Sequence, residues 1–128
     1  MQKRYSEGET KLSKEITSLY FLVGIDHKAF KIGIANSTIS RISKLGGQMV
    51  FDLKESLEIL WTSRREALRA EKTLHFICEK YQVEYTKSDG FTEWFDISCF
   101  ELALLNAKNI LDSRGISHNQ IKKGILLP

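Results

Sequence analysis

Glu71 is a carboxylate at the edge of an apolar helical stripe, in the longest helical pattern of the chain. At 100° per residue it falls about 40° from Ala67 and about 20° from Cys78, on the side of Leu74. A carboxylate in such a place costs free energy unless it is paired, hydrogen-bonded or bound to a metal. Two hypotheses follow: a stripe-edge glutamate bonded to a surface arginine, or a ligand for a hard cation.

Three more side chains that could take part in catalysis or binding come earlier in the sequence. Tyr20 opens one apolar run, Lys31 follows eleven residues later in a second run, and Arg41 follows after ten more. Because neighbouring residues of a strand face opposite ways, Lys31 and Gly33 share a face that the apolar residues of their run avoid. We therefore predict a polar sheet face, where Gly33 lets a phosphate or another backbone approach closely. The alternative for Lys31 and Arg41 is simple solvation.

The elements that position these side chains follow from the apolar periodicity. The hairpin, the helices and the third strand are indicated by apolar runs, by helix caps, and by Ser63 and Glu66 in the spacing of a capping box. In chain order they are strands at 19–25 and 30–34, a helix from Asn36-Ser37-Thr38 to Gly46-Gly47, a strand at 57–61, and helices at 63–81 and 98–113. The order β-β-α-β-α-α predicts an α+β fold with a small, three-stranded, mostly antiparallel sheet flanked by helices.

Length and composition set the outer limits. The 128 residues suit one domain, and 42% hydrophobic with 27% charged residues excludes a disordered chain. We expect a polar arm at 1–16, the domain at 17–114 and a tail at 115–128. No window approaches the roughly 20 apolar residues of a membrane helix, and the polar start is not a secretory signal, so we expect a cytoplasmic protein. The spacing of Cys78 and Cys99 favours two buried free thiols over a zinc site. A net charge of +3 is compatible with nucleic acid.

The ordered set of motifs resembles the GIY-YIG nuclease superfamily over residues 18–97. The motifs are Leu19-Tyr20-Phe21, Lys31-Ile32-Gly33, Arg41, and Ala67-x-x-Ala70-Glu71-x-x-Leu74-His75, followed by Glu93-Trp94-Phe95. The later part is similar to a compact phage and bacterial branch, in which Lys-Ile-Gly commonly replaces Tyr-Ile-Gly. The chain departs from the family in reading Ser18-Leu19-Tyr20 for Gly-Ile-Tyr, and it has no counterpart of the late asparagine.

The resemblance implies a role for each of the four residues. Tyr20 would activate or orient the attacking water, and Lys31 would stand where the second tyrosine stands, near the scissile phosphate. Arg41 would contact that phosphate, and Glu71 would bind the metal, Mg²⁺ or Mn²⁺. One carboxylate suffices for magnesium, because water and substrate phosphate complete its coordination.

The expected function is therefore a divalent-metal-dependent endonuclease that hydrolyses DNA, in the host cytoplasm if the protein is phage-encoded. We expect substrate contacts at Gly33, Arg41, Arg64 and Arg65, although a solvated helix face explains the last two equally well. His75 is either a metal partner of Glu71 or a partly buried structural histidine. The alternative function is a weak or inactive member of the fold that binds nucleic acid or protein and regulates a partner. A homodimer or a larger protein partner fits either function, and no membrane is expected.

Overall fold

The computed structural model describes residues 16–84 and 94–127. Its sheet has five strands, all antiparallel, in the order β4-β2-β1-β3-β5. The strands are β1 Thr17–Val23, β2 Ala29–Ala35, β3 Leu57–Trp61, β4 Trp94–Asp96 and β5 Ile121–Lys123, and the helices are α1 Thr38–Lys44, α2 Arg64–Ile77 and α3 Phe100–Ser113. The α+β class is confirmed. The predicted arm (residue 16 apart), most of the predicted loop from Val83 to Gly90, and Glu93 lie outside the described residues.

The prediction of three strands is wrong because β4 and β5 are too short to show a period. Each has three residues, and each adds to an edge of the predicted sheet. Trp94 pairs with Lys31 on β2, and Ile121 pairs with Ile59 on β3. An edge strand offers a row of unpaired backbone groups, and a segment that returns to it satisfies them whatever its sequence pattern. Part of the predicted tail is therefore a strand.

One face of the sheet carries the larger core. Its inward residues, such as Phe21 and Phe30, are fully buried beneath α2 and α3. The two helices contribute small or branched side chains: Ala67, Ala70, Leu74, Ala103, Ala107 and Leu111. The Phe100 ring closes the end of this core, with its centroid 5.5 Å from that of Phe21 and 5.0 Å from that of Phe30, both edge-on. Small residues on both helices allow them to lie close to the sheet.

The opposite face is also buried, and the predicted polar face is wrong. Helix α1, the segment after it and Ile125 pack against the strand residues of this face and form a second cluster of buried apolar residues: Tyr20, Leu22, Ala29, Ile42, Leu45, Phe51, Leu53, Trp94 and Ile125. Phe51 stacks on Trp94, with 5.6 Å between centroids and 7° between planes. The apolar residues that cover this face come from α1, from the segment after it and from Ile125, so the pattern of β2 alone could not reveal them.

The helix boundaries follow local hydrogen bonds. The Ser37 hydroxyl accepts the N–H of Ser40 at 3.2 Å, and the Ser63 hydroxyl accepts the N–H of Glu66 at 3.2 Å. These bonds are the N-caps that the sequence predicts for α1 and α2. At its other end α2 stops at Ile77, and a 3-10 turn at Glu79–Tyr81 follows in place of the predicted last helical turn. No helix within residues 16–84 and 94–127 combines the length and the apolar character that a membrane span requires.

Asp52 joins the β1–β2 turn to the segment before β3. Its carboxylate lies 2.5 Å from His27 Nε2 and accepts the N–H of Lys54 at 3.1 Å. His27 itself has a left-handed backbone, with φ of 62°. The hydrogen bond with His27 lowers the pKa of Asp52 below its ordinary 3.8. Burial opposes this effect in part, and the backbone hydrogen bonds from Glu55 and Lys54 add smaller lowering effects. The ionised carboxylate is therefore the form that the fold favours.

Replacing Asp52 by asparagine tests this connection. A group whose pKa falls on folding adds stability above its unfolded pKa, and that stability is lost as the pH falls through its folded pKa. We expect Asp52→Asn to lower the free energy of unfolding at pH 7, with the gap to wild type closing below pH 3.8. Urea unfolding across this pH range measures the gap.

His27→Asn is the companion variant, because asparagine tolerates the left-handed backbone. It should reproduce most of the Asp52→Asn effect. A gap that stays constant from pH 7 to below pH 3.8 would contradict the assignment of the effect to Asp52 ionisation.

Candidate functional site

The Tyr20 ring lies across Gly33. The two residues are directly opposite each other in the β1–β2 ladder. A Cβ added at Gly33 would meet the Tyr20 hydroxyl oxygen, and it would lie 2.6 Å from the Cζ atom that carries this hydroxyl. Tyr20 is only 1% exposed. The close approach predicted at Gly33 thus exists, but the tyrosine ring makes it, and the hydroxyl end of Tyr20 is fixed above β2.

Lys31 shares the face of Tyr20 but lies beneath the covering segments. It pairs with Leu22 on one side and with Trp94 on the other, and its exposed fraction is 0%. A lysine stem packs well against such apolar neighbours, whereas its ammonium group is costly to bury without polar contacts. Its burial between Leu22 and Trp94, two members of the second cluster, makes Lys31 part of the support of this face.

Arg41 reaches the same face from α1. The next residue, Ile42, is fully buried in the cluster that contains Tyr20, so α1 packs on this side of the sheet. Arg41 itself is half-buried. Tyr20 and Lys31 thus lie on one sheet face, and the helix that carries Arg41 packs on that face.

Glu71 approaches from α2, on the opposite face, and His75 connects it to β2. His75 Nε2 lies 2.9 Å from the carbonyl oxygen of Ile32 and 3.9 Å from Glu71 Oε2. A carbonyl oxygen only accepts, so Nε2 carries the proton and donates it. This bond favours the structural histidine over a metal-binding pair through Nε2. The Glu71 carboxylate therefore lies near the same His75 nitrogen that contacts the β2 backbone at Ile32, the residue before Gly33.

A second contact joins α2 to the residue just beyond the end of β2. Arg64 Nη1 donates to the Asn36 side-chain oxygen at 3.1 Å. The α2 face from Arg64 through Glu71 to His75 therefore follows β2 from its end back to Ile32. Strand β4 pairs with β2 only as far as Lys31, so in the described part of the chain no strand covers the edge from Gly33 onward.

These contacts define a candidate cleft along the β2 edge from residue 33 to residue 35. The end of the Tyr20 side chain crosses Gly33 from one sheet face, and His75 contacts Ile32 from the other. The Glu71 carboxylate lies 3.9 Å from the same His75 nitrogen. Helix α1, which carries Arg41, packs on the first side through Ile42, and Arg64 lies on the second side. Arg65 is exposed and lies about 100° from Arg64 around the helix axis, so the structure does not bring Arg65 to the cleft. Sequence reasoning did not predict the hydrogen bond between Asn36 and Arg64, because an asparagine just before a helix looks like a capping residue.

The only coordination mode for a cation that fits the described residues of the cleft is one in which a single protein carboxylate binds it. The Glu71 side chain is 13% exposed, and within the described residues no three His, Cys, Asp or Glu side chains come together as a metal group. Magnesium is commonly held by one or two carboxylates, with water and phosphate as the other ligands. Glu71 fits that mode, in which the substrate supplies part of the coordination.

Comparison with known proteins gives one match. The model of the T5orf172 domain matches residues 17–112. The chain belongs to the T5orf172 domain family. This phage-associated, nuclease-like domain is similar to GIY-YIG domains, and the family indicates a nuclease or DNA-binding domain. The match begins at β1 and ends within the last turn of α3, so the T5orf172 domain contains the whole candidate cleft. No curated protein and no solved structure matches the chain.

The contact between Tyr20 and Gly33 can be tested by a double-mutant cycle. We expect Gly33→Ala to lower the free energy of unfolding by about 1–3 kcal/mol, because the new methyl group meets a buried ring. In a Tyr20→Leu background the same change should cost less, since the ring that it meets is absent. Urea unfolding of the four proteins gives the coupling. Equal costs in both backgrounds would show that the ring does not cross Gly33.

Proposed function

We propose that this T5orf172 domain is a divalent-metal-dependent endonuclease that hydrolyses DNA phosphodiester bonds by GIY-YIG-type chemistry. One observation carries the proposal: the Tyr20 ring crosses Gly33 from one sheet face, and His75 contacts the preceding residue, Ile32, from the side of α2. The Glu71 carboxylate lies 3.9 Å from that His75 nitrogen. Family membership supports a nuclease or DNA-binding role independently of this geometry.

The cationic side chains of the cleft account for substrate binding. A guanidinium presents donors in a fixed fork that matches two phosphate oxygens, which a lysine ammonium does not. Arg41 would hold the scissile phosphate in this way. Arg64 is already oriented by its bond to Asn36, so it would contact a neighbouring phosphate on the other side of the β2 edge.

Hydrolysis also needs an oriented water molecule and stabilisation of the charge that develops on oxygen. The phenol oxygen of Tyr20 can accept a hydrogen bond from the attacking water, and Gly33 gives the ring its fixed position. Lys31, buried under the same face, would act as a supporting cation and not as a surface contact. A Mg²⁺ or Mn²⁺ ion held by Glu71 would supply Lewis acidity toward the phosphoryl oxygens and the leaving oxygen.

The Glu71→Gln variant separates metal-dependent cleavage from binding. Glutamine keeps the size of the side chain but loses the charge that a hard cation needs. We expect nicking of a supercoiled plasmid with Mg²⁺ or Mn²⁺ to fall by about 100-fold or more, an effect of several kcal/mol on the barrier. DNA affinity in EDTA should change less than about threefold.

Glu101→Gln is the matched control, because Glu101 is an exposed glutamate in the first turn of α3. It should leave both readouts unchanged. Parallel loss of binding and cleavage in Glu71→Gln would argue against a metal role for this residue.

Substitutions at Arg41 test the phosphate clamp. Arg41→Lys keeps the charge but loses the fork, so we expect most of the cleavage rate to be lost, by about tenfold or more. Arg41→Ala should lose more, and DNA affinity should fall as well. Cleavage by Arg41→Lys at the wild-type rate would show that the fork is not used.

A second candidate function is a nucleic-acid-binding or protein-binding module without cleavage activity. The burial of Tyr20 and Lys31 favours it, because reacting groups must reach the substrate. Pure wild-type protein incubated with plasmid and Mn²⁺, compared with an EDTA control, distinguishes the two functions. Salt-sensitive binding without any nicking would support the module and would overturn the nuclease.

A further inference from the structure

A cavity adjoins the candidate cleft at the C-terminal end of α2. Its volume is about 260 Å³, and its lining residues are His75, Phe76, Glu79, Gln82 and Phe95. His75 belongs to both places, because the same ring contacts the β2 edge and Glu71. The cavity is therefore separated from the Glu71 carboxylate only by the His75 side chain.

The walls of this cavity suit a flat aromatic group. The His75 ring meets the Phe95 ring edge-on, with 5.1 Å between centroids and 75° between planes, which fixes one aromatic wall. Phe76 forms the other and is 77% exposed, an unusual position for a phenylalanine on a surface helix. A planar guest would remove apolar area of Phe76 from water and gain ring stacking.

The rim supplies polar groups that could recognise such a guest. Glu79 is an exposed carboxylate that accepts hydrogen bonds, and Gln82 carries an amide with both donor and acceptor atoms. Exocyclic amino groups and ring nitrogens of nucleobases match these groups. The combination of stacking walls and a small polar edge is how proteins hold unpaired bases.

The positive charge on α2 indicates that the planar group belongs to a chain with negative charge. Arg65, Arg69 and Lys72 lie on the same helical face as Phe76, within about 60° of one another. In the described part of the chain no acidic side chain forms an ion pair with these three cations; the nearby Glu66 pairs with Arg114 at 2.8 Å. These cations can bind the phosphates of a nucleic-acid strand while the exposed Phe76 ring stacks on a base of the same strand.

We propose that this cavity binds one unpaired nucleobase of the strand whose phosphate occupies the candidate cleft. The inference rests on the proposed function and narrows its substrate class to single-stranded or locally unpaired DNA. Phe76 stacks on the base, Glu79 and Gln82 contact its edge, and the three cations hold the adjoining phosphates. Fully paired DNA uses the cations but leaves the cavity empty.

Fluorescence anisotropy in EDTA tests this with three labelled probes: a single strand, a paired duplex, and the same duplex with one unpaired nucleotide. Stacking of one base on an aromatic side chain is lost in Phe76→Ala, so affinity for the two probes with unpaired bases should fall about tenfold. Affinity for the paired duplex should change less than about twofold, because phosphate contacts remain. Phe76→Trp should retain the preference, since tryptophan also stacks.

Leu105→Ala is the matched control, because Leu105 is a 56% exposed apolar residue on α3. It should bind all three probes like wild type. Wild-type affinity of Phe76→Ala for every probe, or an equal loss on the paired duplex, would overturn the base cavity and leave the proposed nuclease intact. A wild-type protein that binds none of the probes would overturn both proposals.

Discussion

The hydrogen bond from His75 to the carbonyl oxygen of Ile32 is the contact on which the candidate site depends. It joins the last turn of α2 to the β2 backbone at a place where β4 no longer pairs with β2. Without it, a buried carbonyl oxygen would need another donor, at a cost of about 1–3 kcal/mol. Because Glu71 lies one turn earlier on the same helix face, this bond also sets where the carboxylate can reach. The bond serves both stability and placement.

Burial of both sheet faces then restricts where a substrate can bind. One face is closed by α2 and α3, and the other by α1 and the segment that brings Phe51 onto Trp94. In the proposed function, a phosphate would therefore have to meet the sheet at an edge. The shortness of β4 leaves part of the β2 edge uncovered among the described residues, at Gly33, where the Tyr20 ring crosses the strand. Because Gly33 has no side chain, the Tyr20 ring can cross β2, and its hydroxyl comes to lie at this edge strand.

The sequence predicted well what depends on neighbours along the chain. The β1–β2 pairing, the caps at Ser37 and Ser63, and the buried stripe of α2 all follow from local periodicity and hydrogen bonding. Contacts between distant segments were not predictable in this way. Strands β4 and β5 depend on edges formed elsewhere, and the pairing of Arg64 with Asn36 joins residues 28 apart.

Lys31 shows why residue type alone misled at the site. A lysine in a strand suggests a wet face, yet the partner positions in the ladder are Leu22 and Trp94, and the segment after α1 covers all three. A lysine held between such neighbours cannot move freely to a phosphate. Position 31 is therefore part of the support of the face that carries Tyr20, although its residue type predicts a solvated position.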